Sequence, residues 1–332
     1  MIHLVLPDVQ GGVYDFTRIL QAGIGPNIVN LVPHSVDNVR SWKISAGDSV
    51  LLQMSVYGFG KRGAPLWLLR ELDMRGQMMT RLGVFFHELY AFGSPLRKTF
   101  WLSPSQRYVV RRLAEMSGFW ITNREGHAVW LRRYAGNKPH AVLPVFSNVG
   151  EPQSLLATRK SRLVMFGSTG LRTVTYRTAG KDLFQWAKRQ SVEINDIGSP
   201  VTDKKVMDSL TSNGVIQHGR LEANNISDLM RNSLFGIFAF PVDYIAKSGV
   251  FAAYCAHGLC SVILSKGHAP SDVLVARQHY LPVLPNGIFD ADKAQQVGVN
   301  AWDWYHSHTI ASNGNALRYF LDVPTHMEGG GC

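Results

Sequence analysis

"FAFPVDYIAKSGVFAAYCAHGLCSVIL", Phe238 to Leu264, reads as a buried strand, a polar turn, a small-residue helix, a glycine and a second buried strand. Apolar runs bounded by Pro and Gly are the mark of strands buried on both faces, as in parallel sheets. The turn places Lys247, Ser248 and Gly249 where the helix begins. Ser248 is a natural N-cap, and the N–H groups of Gly249 and Val250 would point out of that end. The helix dipole adds partial positive charge and Lys247 a full one, so the turn is a candidate diphosphate site. Ala252, Ala253, Cys255 and Ala256 would let the helix lie close to the sheet. The competing reading is a plain serine cap beside an exposed lysine.

Outward from that stretch the same alternation recurs. "RLVMFGS", "VEINDIGS", "VIQHGRL" and "LFGIFAFP" are strands separated by helical segments. "IHLVLPD", "NIVNLVPH", "DSVLLQMSVYGF", "RLGVFFHELY", "GFWITN" and "HAVLPVF" do the same in the first half. "SNVGEPQSLLATRKS" breaks the pattern with Gly, Pro, Ser and charge. The expectation is an α/β protein of two Rossmann-like, doubly wound parallel-sheet domains facing a cleft. The boundaries read as 1–148, a linker at 149–161, a second domain at 162–322 and a tail at 323–332.

Length and composition agree with this. The chain has 332 residues, too many for one ordinary core, and 45% are hydrophobic. The formal net charge is +10, which attracts anionic lipid, nucleic acid or phosphorylated molecules. No RNP-like motif, recognition-helix pattern or zinc-finger spacing is visible, so nucleic acid is not expected as a partner. "WLSPSQRYVVRRLAEMSGFW" mixes aromatic and Arg residues at helical spacing, which fits peripheral contact with an anionic membrane or, equally, a solvated helix face. The amino terminus shows no basic, apolar leader pattern, and Cys255, Cys260 and Cys332 match no zinc spacing. The expected location is cytoplasmic, at most peripheral on the inner membrane face.

The other candidate residues fall on loops after strands. Gly11 and Gly12 join the first strand to a helix and would admit an anion or simply form a tight turn. The spacing G-x-G-x-x-G is absent there. Lys61 lies in the glycine-rich loop "YGFGKRGAP", and Tyr244 in the turn before Lys247 joins it as a cleft residue. His87 and Glu88 end a very apolar strand, where a histidine can serve as a general base or bind a hydroxyl. In "FGSTGLRTVTYR", Ser168 and Thr169 would donate to a phosphate, with Arg172 as countercharge. The Walker spacing is missing, so ATP hydrolysis is not indicated.

Taken in order, these pieces resemble the GT-B glycosyltransferases. "FAFPVDYIAKSGVFAAYCAHGLCSVI" is similar to the donor-binding segment of the retaining branch, and "FFHELYAFGSPLRKTFWLSPSQRYVVRRLAEMSGFWITN" to the amino-terminal segment of bacterial polysaccharide-type members. The resemblance implies transfer of a sugar from a nucleotide diphosphate donor to a glycan, lipid-linked or small-molecule acceptor. The donor is a substrate, and neither a cofactor nor a metal is implied. His87 and Glu88 would stand at the reacting centre. Lys247, Ser248, Gly249, Arg172, Ser168 and Thr169 would hold the diphosphate. One departure stands out: the glutamate pair of the retaining branch aligns with Ile245 and Ala253. That departure leaves open a non-catalytic nucleotide-sugar-binding subunit. A sugar-nucleotide epimerase or a phosphorylase of the same architecture remains a further alternative.

Overall fold

The computed structural model describes residues 1–9, 11–25, 29–35, 44–60, 63–76, 79–91, 98–265, 272–285 and 290–321. The chain forms two compact units, Met1–Pro144 with Ile310–Cys332, and Val145–Thr309.

The first unit is built on a parallel sheet of β1 (Ile2–Pro7), β2 (Val29–His34), β3 (Asp48–Met54), β4 (Met79–Phe86), β5 (Phe119–Thr122) and β6 (His140–Val142). Their order is β2-β1-β3-β4-β5-β6. β1 and β3 are buried along their whole length, as the apolar runs require. Helices α1 (Gly12–Ile24), α2 (Leu66–Arg75), α3 (Lys98–Met116) and α4 (Glu125–Ala135) connect or flank the strands. Leu52, Val84, Phe86, Val110, Leu113 and Trp120 form the centre of this core.

The second unit carries β7 (Lys160–Phe166), β8 (Glu193–Ile197), β9 (Ile216–Gly219), β10 (Ser233–Ala239) and β11 (Cys260–Leu264). They are parallel neighbours in the order β11-β10-β7-β8-β9, the strand order of a Rossmann half. Its helices are α5 (Thr169–Arg189), α6 (Lys204–Ser212), α7 (Ala223–Arg231), α8 (Gly249–Ala256) and α9 (Ala291–His306). Leu163, Leu183, Trp186, Ile237 and Val262 lie in its core.

Both boundary expectations move. Val145 N–H donates to Ala246 O at 3.0 Å, and Ser147 N–H to the Tyr305 hydroxyl at 2.6 Å, so the second unit begins before residue 149. The last helix, α10 (Ile310–Phe320), belongs to the first unit, not the second. It packs on α1 at a pair of glycines: a Cβ on Gly314 would stand 2.5 Å from Gly23 O, and one on Gly23 would stand 2.8 Å from the Ile310 side chain. Arg318 donates to Ile24 O and Arg81 to Phe320 O, both at 2.6 Å, fixing the carboxyl end of that helix. Among the described residues no helix is long and apolar enough to cross a membrane.

Candidate functional site

In a doubly wound sheet the strand order reverses at one place, and the loops there part to leave a crevice at the carboxyl ends of the strands. In the second unit the reversal falls between β7 and β10. The helices that follow these two strands are α5 and α8. Each begins on a serine. Ser168 Oγ accepts from Leu171 N at 3.3 Å, and Ser248 Oγ accepts from Phe251 N at 3.2 Å. The serine carbonyls take the next N–H groups, from Arg172 and Ala252. Thr169 and Gly170 in one helix, and Gly249 and Val250 in the other, are the first-turn positions whose N–H groups have no intrahelical acceptor. A Cβ on Gly170 or Gly249 would meet nothing within 4 Å, so the backbone is open on that side.

The two starts are neighbours, since a Cβ on Gly167 would lie 3.3 Å from Val250 Cγ2. Buried hydroxyls hold them together. Tyr254 of α8 is fully buried; its phenol oxygen accepts from Phe166 N at 3.0 Å and its hydroxyl donates to Val164 O at 3.0 Å. That places the small-residue helix across β7. Gly236 makes room for the ring, for a Cβ there would fall 2.7 Å from it. Thr175 Oγ1 accepts from Ala239 N at 2.9 Å, tying α5 to the end of β10.

Arg172 does not present its guanidinium to this opening. It is fully buried, paired with Asp196 inside β8, and donates to Gly167 O and Ser199 O. Tyr176 OH donates to the second Asp196 oxygen at 2.9 Å. Burial, the larger effect, raises the Asp196 carboxyl above its ordinary value, while Arg172 and Tyr176 oppose it. Arg172 is therefore not the expected phosphate countercharge: its charge is paired with Asp196, and it fixes the loops after β7 and β8. Sequence reading missed Asp196 and Tyr176, although an acid inside a buried strand always requires a partner.

Lys247 ends a 3-10 turn, Val242–Lys247, that also carries Tyr244. Both side chains are half-buried, directly ahead of the Ser248 cap. Ile245 and Ala253, at the positions of the absent glutamates, are completely buried.

In the first unit the strand order reverses between β1 and β3. Gly11 and Gly12 stand there, exposed, with no side-chain cap on α1 and nothing within 4 Å of a Cβ on either. One turn on, Phe16 meets the His87 ring edge-on at 5.0 Å. His87 is buried, stacked on Phe85, and its Nε2 lies 2.8 Å from Gln53 Oε1. Glu88 is half-buried and accepts from Ser55 Oγ at 3.3 Å. Gln53 and Ser55 were legible only as polar interruptions of the apolar run "LLQMS". Lys61 lies outside the described residues. Among the described residues no cluster of three His, Cys, Asp or Glu side chains is arranged to hold a metal.

No family model matches the chain, and no curated protein matches it by sequence. Solved structures do match by fold. A pneumococcal O-GlcNAc transferase, GtfA, in complex with UDP and GlcNAc, superposes with TM-score 0.52 and 10% identity, over 86% of this chain and 58% of that one. TarM gives TM-score 0.55 and 11% identity over 86% and 57%. An alpha-glucosyltransferase in complex with UDP and a 13-mer DNA gives 0.54 and 10% over 96% and 98%. The chain thus spans little more than half the length of the first two and nearly all of the third. Such low identities speak for the fold alone: the chain has the two Rossmann-like parallel sheets of the GT-B glycosyltransferases.

Proposed function

We propose that the protein transfers a sugar from a nucleotide diphosphate donor, and that the diphosphate binds where α5 and α8 begin. One observation carries this reading: two serine-capped helix starts, each with an open glycine, lie side by side at the switch point of the second sheet. As the glycosidic bond to the diphosphate breaks, negative charge grows on the leaving phosphate. Free N–H groups of Thr169, Gly170, Gly249 and Val250, the Ser168 hydroxyl and the Lys247 ammonium are suited to stabilise that charge, which is the main electrostatic task of the reaction. Structures of this fold solved with UDP support the donor class. Gly11, Gly12, His87 and Glu88 are assigned to the acceptor, with Glu88, the more accessible of the two acid–base groups, as the proton acceptor and His87 beside it. The acceptor class is a glycan, a lipid-linked sugar or a small molecule.

A thermal-shift panel of UDP, GDP, ADP and TDP with their sugars tests this, because a ligand bound only by the native state raises its melting temperature. One nucleotide diphosphate should raise it, and Lys247→Ala should remove most of the rise. A panel without a responder sinks the proposal.

The buried Ile245 and Ala253 favour a second reading, a nucleotide-sugar-binding subunit without turnover. Donor hydrolysis by the purified protein decides against it; tight binding with no release of sugar decides for it. The outward face of α3, where Trp101, Tyr108, Arg111 and Arg112 are exposed, supports contact with an anionic membrane. Equal sedimentation with neutral and anionic vesicles would remove that part.

A further inference from the structure

Beyond β11, residues 272–285 return to the free edge of the second sheet. Leu281 N–H donates to Ser261 O and its carbonyl accepts from Ile263 N, both at 2.8 Å. Around this anchor the segment turns apolar side chains outward: Val273, Val275 and Val283 are 83%, 51% and 60% exposed. Its backbone is strained as well. Val273 (φ 63°) and Arg277 (φ 67°) adopt the left-handed conformation, which a β-branched residue almost never does. The turn around Arg277 is nonetheless locked. Arg277 N–H donates to Tyr280 O at 2.6 Å, Val275 N–H to His279 Nδ1 at 3.0 Å, and Asn300 of α9 reaches Gln278 O at 3.0 Å. Strain so firmly held is a common mark of a working site.

Between this segment and α9 lies an open cavity of about 520 Å³, within the size range of small-ligand sites. Leu281, Pro282, Val283 and Val297 supply apolar walls, and Arg277 and Lys293 stand at its rim. Arg277 has no ion pair among the described residues, and Lys293 has only Asp290, at 4.0 Å. An apolar recess flanked by two cations suits an anionic amphiphile. We propose that this cavity binds a single-chain anionic amphiphile as a monomer. Its hydrocarbon chain lies along the Pro282–Val283 wall, and its carboxylate or phosphate head meets the Arg277 fork, with Lys293 as second cation. The site is independent of the sugar-transfer reading.

The test is displacement of dansyl-labelled undecanoate by decanoate, and by 1-decanol as the uncharged control, all below their aggregation limits. Arg277→Gly suits the left-handed backbone, so the melting temperature should hold or rise. Decanoate affinity should nevertheless fall at least about tenfold, the effect of losing one charge-assisted contact, while decanol is unaffected. Gln296→Trp, which fills the cavity from α9, should weaken both ligands. Three results overturn the proposal: no saturable displacement, displacement unchanged in both variants, or binding to anionic vesicles with none to monomeric decanoate.

Discussion

In the first unit α1 starts on Gly11 and Gly12, with no side chain closing it, beside a buried His87–Gln53 pair and a half-buried Glu88. In the second, α5 and α8 start on serines whose hydroxyls close the first turn, above a buried Arg172–Asp196–Tyr176 network. Both places are switch points of parallel sheets, so topology alone would give them the same task. Their side chains divide it. The first gathers a histidine and a glutamate with their polar partners; the second gathers backbone N–H donors at two serine-capped helix starts, tied together by the buried Tyr254 hydroxyl. Such fixed dipoles are what a growing phosphate charge needs.

The largest way to break this contrast is to remove the network beneath the second switch point. Arg172→Met leaves Asp196 buried without its cation and should cost about 3–5 kcal/mol, read by urea unfolding. A cost within about 0.5 kcal/mol would show that the buried Asp196 does not depend on Arg172. Acid should act next. His257, the buried residue ending α8, has its imidazole lowered to about 4 by burial, with Nε2 2.8 Å from Ser227 Oγ. Between about pH 6.5 and 4 the unfolded chain binds the proton and the folded one does not. The contribution of this group is therefore complete above about pH 6.5 and declines by about 3 kcal/mol toward pH 4. His257→Gln should flatten that slope, and an unchanged slope would assign the acid sensitivity elsewhere. Tyr254→Phe comes third. It strands the Phe166 N–H and should cost about 1–3 kcal/mol. It should also weaken nucleotide binding, since it loosens α8 from β7. The smallest effect sharpens the comparison most. Gly249→Ala meets no neighbour and should leave stability within about 1 kcal/mol of the parent, or raise it. If the diphosphate lies against that backbone, the added methyl group should still reduce the nucleotide-induced rise in melting temperature. A full rise would move the phosphate away from α8.

Much of this was legible in the order of apolar runs and turns. "KSGVFAAYCAHG" declared a capped helix, and Ser248 does cap α8. Other features depend on side chains that meet only in three dimensions. Arg172 follows a serine-capped helix start and reads as a phosphate countercharge; it turns inward because Asp196 waits in the next strand. Tyr254 sits in a row of small residues and reads as packing, yet its hydroxyl joins two strands. The return of α10 to the first unit rests on two glycines far apart in the chain, a fit with no local signature. His87 ends its strand as expected, but the burial that surrounds it with Phe16, Phe85 and Gln53 comes from three separate segments.

The seat of α10 on α1 also sets a timetable for synthesis. A ribosome delivers every strand of both sheets before it reaches Ile310. The amino-terminal half is made first but receives the helix that covers α1 only after every residue of the second unit has been made. A released chain ending at Thr309 would carry every residue of the second unit and a first unit whose α1 flank is bare.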